Sequence, residues 1–153
     1  MLDGALPRLY GGQAEGCAPV ATAFEADERV KPVKPATIAR SLAIGSPADG
    51  DLAVATAKSA GGRIYATAEE DVAENIGLLA STTGIFGETA PGVTLGALRT
   101  AIARGELGAD DEVVLLVTGD GLKTPGVVAQ LLRPVEIDAD ADALLDSLGV
   151  HAA

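Results

Sequence analysis

The sequence predicts an α/β fold in three layers, with helices on both faces of a mainly parallel sheet. Segments of strand character alternate with segments of helical period, and parallel strands can be joined only through such crossovers. The 153 residues include two Tyr, two Phe and no Trp, so Ala, Leu, Val and Gly must build the core. That composition suits helices packed closely on a sheet better than an aromatic-rich sandwich. Finally, Val113-Val114-Leu115-Leu116-Val117 is an unbroken apolar run, the mark of a strand covered on both faces, and it stops at Thr118 and a glycine turn.

Each element follows from local chemistry. Residues 7–14 read as a short strand, and a helix begins near Gly16 with Val20 and Phe24 four apart on one face. Lys31-Pro32-Val33-Lys34-Pro35 cannot be helical, because each proline removes a donor and holds its predecessor extended; an exposed connector is expected. Ser46-Pro47-Ala48-Asp49 combines a capping hydroxyl, a first-turn proline and an acid, so a helix should run from there to about Ser59, ended by Gly61-Gly62. Residues 63–66 form the next strand. Thr67-Ala68-Glu69-Glu70 has the spacing of a capping box and precedes a helix that buries Val72, Ile76 and Leu79. After an extended link at residues 84–88, Pro91 opens a helix with Leu95, Leu98 and Ile102 on one side and Gly105 as its stop. Residues 112–117 are the buried strand. Beyond it come a short helix at 127–132, a short strand at 135–137 and a terminal helix at 141–148. Residues 1–133 are read as one domain and 134–153 as an appended tail.

Composition excludes several classes of function. With 22 acidic residues against 11 basic ones the formal charge is −11, which repels phosphate backbones and anionic membranes, so neither nucleic acid nor membrane is an expected partner. No apolar stretch reaches the length of a membrane span, and the first residues lack the pattern of a secretory signal; the chain reads as soluble and cytoplasmic. Cys17 is the single cysteine, so no internal disulfide or CxxC metal pair can form. Asp138, Asp140 and Asp142 begin like a calcium loop, but Ala143 stands where that loop needs glycine and Gly149 where it needs glutamate, leaving no metal site.

Three segments carry chemistry. Thr118-Gly119-Asp120-Gly121-Leu122-Lys123 ends the buried strand, where ligands collect in open α/β sheets, and its glycines allow backbone to approach a ligand closely. The plainer reading is a strand-terminating turn with a capping hydroxyl. Gly84-Ile85-Phe86-Gly87-Glu88-Thr89-Ala90-Pro91-Gly92 is either a tight crossover with Phe86 in the core or the floor of a pocket. Glu15-Gly16-Cys17 lies at the end of the first strand. Cys17 lacks a base, because the only histidine is His151 near the C-terminus, and so reads as a small buried thiol rather than a nucleophile. Gly92 and Gly96 have GxxxG spacing outside any membrane span and point to close helix packing, and Lys123 reads as a solvated lysine after the turn.

Taken with Gln13-Ala14-Glu15-Gly16-Cys17-Ala18-Pro19 and Gly84-Ile85-Phe86-Gly87-Glu88-Thr89-Ala90, the Thr-Gly-Asp-Gly-Leu-Lys turn resembles the C-terminal part of threonine synthase, from about Leu6 to about Thr124. The resemblance implies a tryptophan synthase β-like fold, pyridoxal 5'-phosphate (PLP) as cofactor, and a lyase that converts O-phospho-L-homoserine and water into L-threonine and phosphate. It also implies that Thr118 sets its hydroxyl against the pyridine nitrogen of PLP, with Gly119 beside it as the second cofactor-binding residue and Glu88 near the edge of the pocket. A neutral hydroxyl does not enforce a protonated pyridinium and so moderates the cofactor as an electron sink. The family's aldimine lysine, its glycine-rich phosphate cradle and its substrate-phosphate contacts lie upstream of the matched part. No catalytic residue can therefore be assigned here, and none of Lys31, Lys34, Lys58 and Lys123 stands in a family lysine motif. A split or truncated gene product, inactive alone and completed by an N-terminal half or by further copies, is the expectation. The alternatives are a threonine dehydratase- or cysteine-synthase-like relative, and a non-catalytic binding or oligomerisation module derived from a PLP enzyme.

Overall fold

A computed structural model of the chain describes residues 7–131 and 136–149. Two strands, β1 (Gly11–Ala14) and β2 (Ile64–Thr67), pair in parallel, with Gly11 opposite Ile64 and Ala14 opposite Thr67. Between them run α1 (Pro19–Ala26) and α2 (Gly50–Ser59); after them come α3 (Glu69–Thr83), α4 (Thr89–Ala103) and, in the tail, α5 (Ala141–Ser147). Consecutive residues of β2 point to opposite faces, and the packing follows. Ile64 joins Val20, Ala21, Ala23, Val54 and Ala57 in a cluster with α1 and α2, whereas Tyr65 joins Ala97, Ala101 and Leu107 on the α4 side. Helix, sheet and helix thus form three layers over a small parallel sheet. Among the described residues, no helix is long and apolar enough to cross a membrane.

The third cluster bears most directly on the site. Ala14, Ala39, Val72, Ile76, Val93 and Val128 meet beside the C-terminal end of β1, with Leu42, Phe86 and Val127 packed against them. The inner face of α3 is the expected one, since Val72, Ile76 and Leu79 are all buried. That of α4 is not. Val93, Gly96, Ala97 and Ala101 point inward, while Ile102 is 54% exposed and Leu95 and Leu98 are only half-buried. Close approach explains the choice: a Cβ at Gly92 would stand 2.8 Å from the Val72 carbonyl oxygen and one at Gly96 2.4 Å from Thr67 Cγ2. Small residues let α4 press against α3 and β2, so its bulky stripe is left outside.

Two expected caps are used otherwise. Thr67 ends β2 rather than capping α3, and its buried hydroxyl donates to the Val93 carbonyl at 3.0 Å. The carboxylate of Glu69, one residue before the box position Glu70, accepts from the backbone N–H of Gly16 and of Ile38, each at 2.9 Å, and from the Thr37 hydroxyl at 3.1 Å. Helix α2 begins at Gly50, later than the Ser46-Pro47 signal, and Ser46 does not cap it.

Residues 112–117 depart most from expectation. They form no strand and pair with nothing among the described residues; Val114 is 80% and Leu116 71% exposed. A strand covered on both faces needs neighbours on both edges, and the described residues supply none. The expected helix over 127–132 is realised as 3-10 turns at Pro125–Val127 and Ala129–Leu131, the latter lying against α3. Leu132, Val135 and His151 lie outside the described residues, and Glu136 and Ile137, the rest of the expected short strand, are not in a strand. The tail helix α5 is as expected, with the Asp140 carboxylate accepting from Ala143 N–H at 3.2 Å.

Candidate active site

The turn after residue 117 is clamped onto the link between α3 and α4. Gly119 adopts φ +77°, a conformation that glycine adopts without a steric penalty. Its carbonyl accepts from Glu88 N–H at 3.2 Å, Gly121 N–H donates to the Phe86 carbonyl at 2.9 Å, and Gly87 and Asp120 form an antiparallel bridge. Side chains close the joint from both sides. A Cβ on Gly119 would lie 2.0 Å from Glu88 Oε1, and one on Gly121 2.6 Å from the Phe86 ring. Asp120 Oδ1 accepts from Leu122 N–H at 2.8 Å and fixes the 3-10 turn Gly121–Lys123.

This clamp holds Thr118 at the surface with its hydroxyl unengaged among the described residues, one residue before the backbone turns. Glu88 is only 9% exposed, and no side-chain hydrogen bond satisfies its carboxylate among the described residues. Thr89, the first residue of α4, is fully buried, with its hydroxyl also unpartnered among the described residues.

The second edge of the region comes from β1. Gln13 Oε1 accepts from Val20 and Ala21 N–H at 2.8 and 3.0 Å, which fixes the start of α1, and residues 15–17 make one 3-10 turn. Gly16 is locked between Glu69 and the 36–38 segment; a Cβ there would stand 1.9 Å from the Ala36 carbonyl oxygen. Cys17 is buried at 1% exposure, as a packed thiol should be. Segments read separately in the sequence are therefore joined in space by two elements: α3, whose Glu69 holds the Glu15-Gly16-Cys17 turn, and the core cluster containing both Ala14 and Val93. Sequence reasoning missed Glu69 as the tie, because its partners Gly16, Thr37 and Ile38 are distant in the chain and no local spacing marks it.

The pyridine nitrogen of PLP can be satisfied by a lone hydroxyl, and Thr118 offers one at the surface beside Gly119, whose positive φ sets the turn. These residues fit that end of the cofactor. Its aldehyde and phosphate ends find no comparable set among the described residues: Lys58 is engaged by Asp27 and Lys31 by Glu28, and no group of His, Cys, Asp or Glu among them could hold a metal ion. An apolar groove of about 370 Å³ lies at the other end of β1, lined by Leu9, Tyr10, Leu52, Ala53, Thr56 and Ile64; no lysine or arginine lines it.

The family model for pyridoxal-phosphate dependent enzymes matches residues 1–119. The chain belongs to that family. Among curated relatives, it is 33% identical to the threonine synthase of Methanocaldococcus jannaschii over 91% of its own length and 35% of that protein. It is 34% identical to the threonine synthase of Mycobacterium leprae and 33% to that of Halalkalibacterium halodurans, covering 95% and 94% of the chain and 39% of each relative. The chain thus spans little more than a third of the relatives it matches. Its fold is similar to that of a solved T.th. threonine deaminase, with a TM-score of 0.50 and 21% identity over 62% of this chain and 34% of that one. PLP is the cofactor of the family, and the layered α/β architecture with a parallel sheet agrees with the expected fold class.

Proposed function

We propose that this chain supplies the pyridine-nitrogen side of the PLP pocket of a threonine synthase, the enzyme that makes L-threonine and phosphate from O-phospho-L-homoserine and water. The observation that carries this reading is the clamped turn: Gly119 at φ +77° beneath the Glu88 carboxylate, presenting an unengaged Thr118 hydroxyl. Bound there, PLP supplies the electron sink for carbanion chemistry on the amino-acid substrate. Thr118 would hold the ring by a neutral hydrogen bond, and Gly119, packed against the Glu88 carboxylate, would set the turn that presents it beside the cofactor. The lysine that carries the cofactor and the contacts to the substrate phosphate come from the part of the fold that this chain does not span, so these residues are inactive until that part is supplied. Residues 1–133 belong to that catalytic domain and 134–153 form a tail.

The test joins this chain to the portion of the Methanocaldococcus jannaschii threonine synthase preceding the matched region, as one polypeptide or as two. Phosphate and threonine should appear together from O-phospho-L-homoserine in the completed assembly and in neither part alone. Threonine formation by the chain alone would contradict the reading. So would a completed assembly that binds PLP and deaminates threonine but leaves O-phospho-L-homoserine untouched, which would favour the dehydratase-like alternative.

A further inference from the structure

Residues 36–42 cross the carboxyl ends of both strands. Ala36 N–H donates at 2.8 Å to the carbonyl of Gly16, two residues beyond β1, while the Thr37 hydroxyl and Ile38 N–H donate to Glu69, two residues beyond β2. Ala39 N–H donates to Thr37 Oγ1 at 3.0 Å, Ala39 itself is fully buried, and Leu42 packs against the core cluster that Phe86 also flanks. The Phe86 carbonyl holds Gly121 of the Thr118 turn, so that turn and the crossing segment rest on one cluster. Because the strands are parallel, their carboxyl ends lie on one edge, the edge at which open α/β sheets bind ligands.

Arg40 opens the 3-10 turn Arg40–Leu42 on this crossing. Its side chain is exposed, and its guanidinium has no partner among the described residues. The other described arginines are engaged: Arg8, Arg29, Arg63 and Arg99 each pair with a carboxylate, and Arg104 lies over the Tyr65 ring. We infer that Arg40 receives an oxyanion of the amino-acid substrate, its phosphate or its carboxylate, adding to the contacts made by the part of the fold that this chain does not span. A chain of net charge −11 repels an anionic substrate, so a cation at the ligand edge offsets that field where it matters. The guanidinium fork matches either group with two parallel hydrogen bonds, and the anchored backbone of residues 36–39 fixes where the side chain starts. The substrate's identity rests on the threonine synthase reading; the placement of Arg40 does not.

The completed assembly, loaded with PLP, tests this with Arg40→Met and with Lys34→Met, an equal change of charge in the exposed connector. Arg40→Met should raise KM for O-phospho-L-homoserine at least tenfold with kcat within about twofold, the mark of a lost binding contact, and Arg40→Lys should recover part of the loss. Lys34→Met should match the wild type. Calorimetry then locates the oxyanion, since inorganic phosphate carries one group and L-threonine the other, and Arg40→Met should weaken one of the two at least tenfold. A wild-type KM in Arg40→Met would overturn the inference. So would an Arg40→Met chain that joins its complement more weakly with KM unaltered, which would make Arg40 an internal ion pair of the whole fold. Failure of the threonine synthase reading looks different: the wild-type assembly itself makes no threonine, and the affinities for phosphate and L-threonine still decide the role of Arg40, with both unchanged in Arg40→Met overturning it.

Discussion

The carboxylate of Glu88 occupies the space that a side chain on residue 119 would need: Oε1 lies 2.0 Å from the position of a Cβ built on Gly119. The carboxylate is the far end of a flexible side chain and can swing aside, but the φ of +77° at residue 119 cannot be relieved that way. Gly119→Ala should therefore cost about 1–2 kcal/mol from the left-handed backbone alone. Adding Glu88→Ala should recover the steric share and leave the backbone share. Urea denaturation of the two single variants and the double variant measures both; full recovery in the double variant would show that the backbone conformation costs nothing.

Glu69 should matter for stability more than its half-buried position suggests. It satisfies two backbone N–H groups, at Gly16 and Ile38, and the Thr37 hydroxyl. Glu69→Ala leaves those donors to water or to nothing, and a loss of about 2 kcal/mol is expected, with hydrogen exchange rising at Gly16 and Ile38 first. Unchanged exchange at both amides would remove Glu69 as the tie between the first strand end and α3.

Both of these ties are only half-legible in the sequence, for a physical reason. Patterns that concern one element and its own core, such as Val72, Ile76 and Leu79 on α3, read correctly because burial there is local. Thr67 and Glu70 carry a genuine capping spacing, yet Val93 offers the Thr67 hydroxyl a better partner, and Glu69, which lies outside that spacing, binds a distant loop. The inner face of α4 misleads for a related reason: helices approaching as closely as Gly92 and Gly96 permit reward small residues, and a hydropathy pattern rewards large ones. The apolar run at 113–117 is legible as a strand in composition but not in partners, since pairing is a property of neighbours. Thr118 and its glycines can be picked out from residue type; the bridge from Asp120 to Gly87 that clamps them cannot.

Alkaline pH should weaken the fold through Tyr65. Burial, then the neighbouring Glu106 carboxylate, push its phenol up to about 12, although the hydroxyl makes no hydrogen bond of good geometry. The unfolded chain loses that proton near 10.0 while the folded chain retains it, so the contribution is complete below pH 10 and is lost as pH rises toward 12. The difference in stability between wild type and Tyr65→Phe, followed from about pH 9 to 12, should shrink across that window. A constant difference would mean that Tyr65 titrates alike in both states.

Acid should loosen the connector before α2. The Val30 backbone N–H, then the Arg29 guanidinium, hold the Asp51 carboxyl below its ordinary value of 3.8. A lowered folded-state value means that the tether is complete above pH 3.8 and is lost as pH falls through the depressed value. The Val30 amide shift should titrate with Asp51, and Asp51→Asn should abolish that step. A Val30 amide that ignores pH in this range would break the link.

Without its complement the chain should form no borohydride-stable PLP adduct on a lysine. Lys58 is engaged by Asp27 and Lys31 by Glu28, and no lysine stands in a family motif. Mass mapping of one modified lysine at stoichiometric yield would overturn this.

The role of Thr118 is tested most directly by the ¹⁵N chemical shift of PLP labelled at its ring nitrogen, measured in the completed assembly with wild-type chain and with Thr118→Val. The substitution keeps shape and removes one hydrogen bond, worth about 1 kcal/mol and more in a dry site. The expected result is a neutral, hydrogen-bonded nitrogen in the wild type that moves to the unbonded shift in Thr118→Val, with turnover reduced more than cofactor retention. An identical nitrogen shift in both proteins would contradict the assignment of this chain to the pyridine-nitrogen side of the pocket.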